Sequence, residues 1–266
     1  MNEKLLMKFF RSEFDQAVTW LGIPRQGHGS IKDYFLGISS LERIKENQKK
    51  REFPGNAPPM RAVPIGLLHD FNKMKYLSII NATSTHPHPK AITASFLTAV
   101  ASNYMLVQRK NPQDIISYCL EEINKLEEEH VDIDTVNKLK EVNKLGDYHS
   151  LKLGDNGREG MDYNLLCGND TFGLQSDSMH TIVCVLYLLK YHRTPFDTLK
   201  ACIQIGGDVD SLASICLGIV GGRFGLRLGE DYFGGLPLWL VDPLEGVVYL
   251  QDVAKKFKHW YENQQN

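Results

Sequence analysis

Apolar residues recur at three-to-four spacing along most of this chain, and no stretch sustains the apolar–polar alternation of a half-buried strand. That pattern confines the fold to helices packed on helices. Leu5, Leu6, Phe9, Phe10, Phe14 and Val18 predict an amphipathic first helix. Leu41 to Arg51 reads as a short basic helix, Met60 to Phe71 as a short apolar one, and Lys90 to Val107 as a long helix rich in Ala and Ser. Pro112 opens the next at its first turn, a favoured place for proline, and this helix is expected to run to about Glu129. Ser178 to Tyr191, Phe196 to Ile205, Asp208 to Phe224 and Pro243 to Tyr261 follow. Phe53 to Pro59 and Thr85 to Pro89 read as rigid loops, because prolines and glycine break either regular structure. Strands and helices do not alternate as a Rossmann fold requires, and no repeat of about 20–50 residues is visible. The expected fold is all-α, one compact orthogonal helical bundle.

With 266 residues, and roughly 150 residues per domain as a prior, one large domain spanning 1–266 is expected. Its most polar part, 121–162, reads as an insertion, with Gly146, Gly154, Gly157 and Gly160 in its second half. Apolar residues are 42% and charged residues 23%, which excludes a disordered or fibrous chain. Lys and Arg number 30 against 32 for Asp and Glu, so the basic excess of a nucleic-acid binder is missing. The longest apolar run, Leu212 to Val220, is about half of the roughly 20 residues that cross a bilayer. The N-terminal segment lacks the uninterrupted apolar stretch of a secretory signal, being broken by Lys8, Arg11, Glu13 and Asp15. The five cysteines (119, 167, 184, 202 and 216) are odd in number and show no C-x-x-C pair, which points to free thiols in a reducing compartment. A soluble, cytoplasmic monomer is expected, with export by a specialised secretion system left open.

The chemistry concentrates in Gly206-Gly207-Asp208-Val209-Asp210-Ser211. Two glycines let the backbone approach a ligand, and two carboxylates then stand two residues apart beside a hydroxyl. Such an oxygen set suits a hard divalent cation; equally, Asp208 suits an N-cap and Asp210 the helix dipole. Ser214, Gly218 and Gly222 form a stripe of small residues on the following helix, against which another backbone is expected to pack closely.

This segment resembles the C-terminal metal motif of the ADP-ribosylglycohydrolase family. Gly55-Asn56-Ala57-Pro58-Pro59-Met60-Arg61-Ala62-Val63-Pro64-Ile65-Gly66 is similar to the family's Gly-Asn-Gly…Met-Arg…Pro-Gly loop, and Thr85-His86-Pro87-His88-Pro89-Lys90-Ala91 to its Thr-His…Pro…Ala loop. Gly234, Leu236, Pro237, Trp239 and Leu240 follow its Ile-Pro…Trp stretch, so the resemblance runs from about Phe9 to Phe257. It implies an all-α fold with a cleft that holds two Mg²⁺ or Mn²⁺ ions and hydrolyses glycosidic bonds of ADP-ribose on proteins or small molecules. Carried over, Gly55, Asn56, Met60 and His86 contact ADP-ribose, with Gly27 and Gly29 in the Gly-rich approach loop. Asp208 and Asp210 are the expected catalytic residues, and Asp208, Asp210 and Ser211 the expected metal ligands.

The chain departs from the family pattern in three ways. No Thr-Asp-Asp precedes Gly55, so half the usual metal ligands are missing, and at most one Mg²⁺ or Mn²⁺ ion, or none, is expected. Ala57 replaces a loop glycine, and Pro58 and Pro59 remove two N–H donors. Asp170, in Gly168-Asn169-Asp170-Thr171-Phe172-Gly173, and Asp177 are candidate replacement acids, with an ordinary turn as the alternative. His86 and His88 read as a Pro-locked loop with one ligand-facing ring rather than as a metal pair. The expected function is ADP-ribose release, with a non-catalytic ADP-ribose-binding protein and a purely structural protein as rivals. Retained aspartates and His86 weigh against the structural rival.

Overall fold

A computed structural model of the chain describes residues 2–21, 31–146, 161–168, 173–229, 234–244 and 246–263. Helices run Glu3–Leu21 (α1), Ile31–Phe35 (α2), Leu41–Lys49 (α3), Ala57–Ala62 (α4), Phe71–Thr83 (α5), Pro89–Ser102 (α6), Ile115–Glu122 (α7), Ile133–Val142 (α8), Met161–Cys167 (α9), Ser178–Tyr191 (α10), Pro195–Ile205 (α11), Val209–Phe224 (α12), Leu238–Val241 (α13) and Val247–Asn263 (α14). Among the described residues there is no strand, only two isolated bridges, Gly55 to Asp177 and Leu174 to Gly207. The fold is all-α, as the spacing predicts.

Two helices form the centre. In α6 every residue from Lys90 to Ser102 is buried, and in α10 every residue from Ser178 to Leu189. A helix buried all round needs its hydroxyls satisfied internally. Ser95 Oγ donates to Ser78 O (2.8 Å), Thr98 Oγ1 to Ala94 O (2.8 Å) and Ser102 Oγ to Val63 O (2.7 Å). The small side chains of α6 also admit a close crossing. A Cβ on Gly66 would lie 2.3 Å from Ala99 O and 2.5 Å from Ser102 Cβ, so only glycine fits there. The core continues through α7, α8, α11 and α12, and all five cysteines lie in it as free thiols.

Several boundaries differ from the sequence reading. Pro58 and Pro59 are not in a loop; they occupy the first turn of α4, where an N–H has no helical partner anyway. The apolar helix expected from Met60 to Phe71 is broken. Val63–Leu67 tightens into a 3₁₀ turn, Leu68 is extended, and Asp70 caps α5 by accepting from Lys73 N (3.1 Å). Beyond Pro112, α7 ends at Glu122 instead of about Glu129. Within the polar stretch 121–162, α8 places Val136, Leu139 and Val142 in the main core, while 147–160 lies outside the described residues.

The small-residue stripe of α12 does not meet a backbone. Ser214, Gly218 and Gly222 lie on its exposed side, and Cβ atoms on Gly218 and Gly222 would meet only side chains of Val63 (3.7 Å) and Leu106 (2.9 Å). The buried face of α12 is the opposite one, through Leu212, Ile215, Cys216, Ile219 and Val220. Among the described residues no helix is long and apolar enough to cross a membrane.

Candidate active site

Three chain segments meet at the start of α12. The first is the turn before α4. Ser178 N donates to Pro54 O (2.9 Å) and Ser178 Oγ to Gly55 O (2.7 Å), pinning this turn onto the first turn of α10. The second is Gly173–Asp177, which leads into α10. The third is Gly206–Asp208. Leu174 N donates to Gly206 O (3.1 Å) and Asp208 N to Leu174 O (2.9 Å), a two-bond clasp holding the second and third segments together. Gly207 sits at φ +71° in this clasp, and a Cβ there would lie 2.2 Å from Leu174 O.

Asp208 is the N-cap residue of α12, yet its side chain makes no capping hydrogen bond. Instead Asp208 Oδ2 accepts from Asn56 Nδ2 at 2.7 Å, and the same amide group donates to Thr181 Oγ1 at 3.0 Å. The capping alternative is therefore set aside for Asp208: the carboxylate reaches across to α4. Burial pushes the Asp208 carboxyl up. Side-chain hydrogen bonding with Asp210, Asn56, Ser176 and Ser211 outweighs this and holds it below the usual carboxylate range, so it is ionised at neutral pH. Asp210, exposed, and Ser211, buried, stand in the first turn of the same helix.

His86 lies beneath the first segment. It is 6% exposed, its Nδ1 is 2.8 Å from Thr85 Oγ1, and a Cβ on Gly55 would stand 3.2 Å from its Nε2. It is thus placed to support the Gly55 turn rather than to face open solvent. Arg61 continues this support. Its Nε donates to Asn81 Oδ1 and its NH2 group to Thr85 Oγ1, both at 2.9 Å, while its guanidinium lies 4.7 Å from the centre of the Phe10 ring. Burial, with the Arg61 and Arg51 cations nearby, pushes the His86 imidazole down to about 3.

That shift has a pH consequence. An unfolded His86 takes up a proton near its ordinary value of 6.5, whereas the folded one stays neutral to about 3. The stability it carries is present above pH 6.5 and is lost as pH falls through this window, by about 1.4 kcal/mol per pH unit at most. Urea titrations should show the native chain losing more stability between pH 6.5 and 4 than His86→Asn. Parallel slopes would contradict the assignment.

The other expected site residues are spread more widely. His88 caps α6, its Nδ1 accepting from Lys90 N (3.1 Å). Met60 is 40% exposed on α4. Asp177 is not a spare ligand: one carboxylate oxygen accepts from His180 N (3.0 Å) and the other lies 2.7 Å from His180 Nδ1, with the residue 3% exposed. Gly27, Gly29 and Asp170 lie outside the described residues. Sequence reading missed Thr181 and Ser176, whose hydroxyls meet Asn56 and Asp208 respectively. The available signal was Thr181 standing one turn beyond the Asp177 cap. Among the described residues no three His, Cys, Asp or Glu side chains gather in a group that could hold a metal ion.

A comparison with curated proteins found no match. The model of one protein family, described as ADP-ribosylglycohydrolase, matches residues 11–266.

Proposed function

Because the chain belongs to the ADP-ribosylglycohydrolase family, we propose that it cleaves the glycosidic bond joining ADP-ribose to a protein or small molecule, at the junction of Asn56 and Asp208. The observation that carries this reading is the ionised, half-buried Asp208 carboxylate, held by the amide of Asn56 from a segment 152 positions away. A glycosidic bond of this type breaks through an oxocarbenium-like state, and the nucleophile is a water. Asp208 accepts a hydrogen bond from that water and orients it. Asp208 then takes its proton and passes it to the departing nitrogen or oxygen of the carrier, while Asp210, exposed in the same helical turn, and Ser211 assist. The Gly55–Asn56 turn and α4 face the ADP-ribose, with His86 supporting the turn from below.

The donor set limits the metal. Asp208, Asp210 and Ser211 offer oxygen ligands of the kind Mg²⁺ or Mn²⁺ prefers, but they come from one helical turn and no third acidic or histidine ligand joins them among the described residues. They fit one ion held by these three residues, not two. Such an ion would lower the pKa of a bound water and neutralise developing charge.

One observation favours a second reading. The Asn56 amide already occupies Asp208 Oδ2 with an N–H donor, which a cation would have to displace. A cleft so arranged suits a protein that binds ADP-ribose without turning it over.

Both readings are tested by incubating the chain with arginine-linked, serine-linked and small-molecule-linked ADP-ribose and measuring free ADP-ribose, with and without Mg²⁺. Release from at least one substrate is expected. No release from any of the three, alongside calorimetric binding of ADP-ribose, would establish the binding reading in its place.

A further inference from the structure

We propose that a second ligand site, separate from the cleft, lies between α1, α2 and the start of α3, and takes a small amphiphile with an apolar body and one anionic end. A cavity of about 500 Å³ opens there, lined by Glu3, Lys4, Met7, Lys8, Arg11, Tyr34, Phe35 and Leu41. This lies inside the range of roughly 300–1,000 Å³ typical of small-molecule pockets. Its floor is apolar: Met7 is 8% exposed and Phe35 5%, and they belong to a small cluster with Phe14, apart from the main core.

The charges around this floor do not cancel. Glu3 is committed to Lys45 at 2.8 Å. Arg11 is committed to Asp15 at 2.8 Å, its NH1 group donates to Phe35 O, and its guanidinium lies 5.7 Å from the centre of the Phe35 ring. Lys4 and Lys8 remain, exposed at the rim, and neither makes an ion pair among the described residues. They stand one turn apart on the same helix, an arrangement that disfavours the helix through like-charge repulsion. An anion between them removes that repulsion, while Glu3, the one carboxylate among the described lining residues, is already paired. The lining therefore selects an acid over an amine or a neutral molecule. A medium-chain acyl carboxylate, with its tail on Met7 and Phe35 and its carboxylate between Lys4 and Lys8, matches both features.

The test is calorimetric titration of the full chain with dodecanoate below its micelle concentration, with dodecyltrimethylammonium as the probe of opposite charge. One dodecanoate should bind per chain and the ammonium should not. Lys4→Glu with Lys8→Glu should weaken dodecanoate binding about tenfold, the combined size of two exposed charge interactions. Met7→Trp, which fills the floor, should abolish it. Both variants are checked by their melting temperatures, and if Met7→Trp does not fold, the exposed lysine pair decides. No heat with dodecanoate, or equal binding of the two probes by the native chain and the lysine variant, would overturn the proposal.

Discussion

Gly207→Ala is expected to cost about 3 kcal/mol or more and to dismantle the site together with the local fold. The residue sits at φ +71°, where alanine is strained by roughly 1 kcal/mol. Its Cβ would also stand 2.2 Å from Leu174 O and 2.4 Å from Leu174 N, both backbone atoms that cannot rotate away. Relief requires opening the clasp in which Asp208 N donates to Leu174 O and Leu174 N to Gly206 O, at about 1 kcal/mol per bond. In a chain of this size each kcal/mol moves the melting temperature by roughly 2–4 °C, so a fall of about 6 °C or more is expected by scanning calorimetry. Gly218→Ala provides the contrast. Gly218 is helical, with only Val63 Cγ1 within reach at 3.7 Å, so alanine there should be neutral or stabilising by up to about 1 kcal/mol. Equal shifts for the two variants would show that the clasp does not constrain the backbone.

Asp208→Ala is expected to lower ADP-ribose release by a factor of about 10²–10⁴, the usual contribution of a positioned acid–base group. Its stability cost should be small. Asp208 makes no side-chain cap bond, and the Asn56 amide it leaves behind keeps its bond to Thr181 Oγ1. A loss of about 1–2 kcal/mol is therefore expected. Rates measured at saturating substrate, together with melting curves, separate chemistry from folding. Activity retained with a lowered melting temperature would make Asp208 a structural residue.

The parts of this molecule that were legible in its sequence share a physical cause. The helix Ser178–Tyr191 was read at its exact bounds, because Asp177 is a strong cap and the apolar run stops at His192. The start of α12 was legible from two glycines followed by an acid. The helix α5 was missed for the opposite reason: its buried face carries Ser78 and Asn81 beside Met74 and Ala82, so no apolar stripe shows. Those polar groups are tolerable because Ser78 Oγ donates to Met74 O, and Asn81 Nδ2 to Pro58 O and Ser95 Oγ, bonds invisible in a linear pattern. The stripe on α12 was visible, but small residues on a helix do not reveal what faces them; here it was solvent and two side chains, while the close backbone crossing fell at Gly66.

The site followed the same division. The ordered motifs placed Gly55, Asn56, His86 and Asp208 on one list, and the structure joins Asn56 directly to Asp208 and sets His86 under Gly55. The partner that reaches Asp208 from another segment, Asn56, could not be read from spacing, because it lies 152 positions away. Nor could sequence show that Asp177 spends both oxygens on His180.

The central claim is that the junction of Asn56 and Asp208 receives ADP-ribose, and calorimetric titration of the full chain with ADP-ribose tests it most directly. The account predicts one site per chain, weakened at least about tenfold by Asn56→Asp, which sets a second carboxylate against Asp208 and against the ligand's pyrophosphate. No heat and no thermal shift at millimolar ADP-ribose, or affinity unchanged in Asn56→Asp, would contradict it.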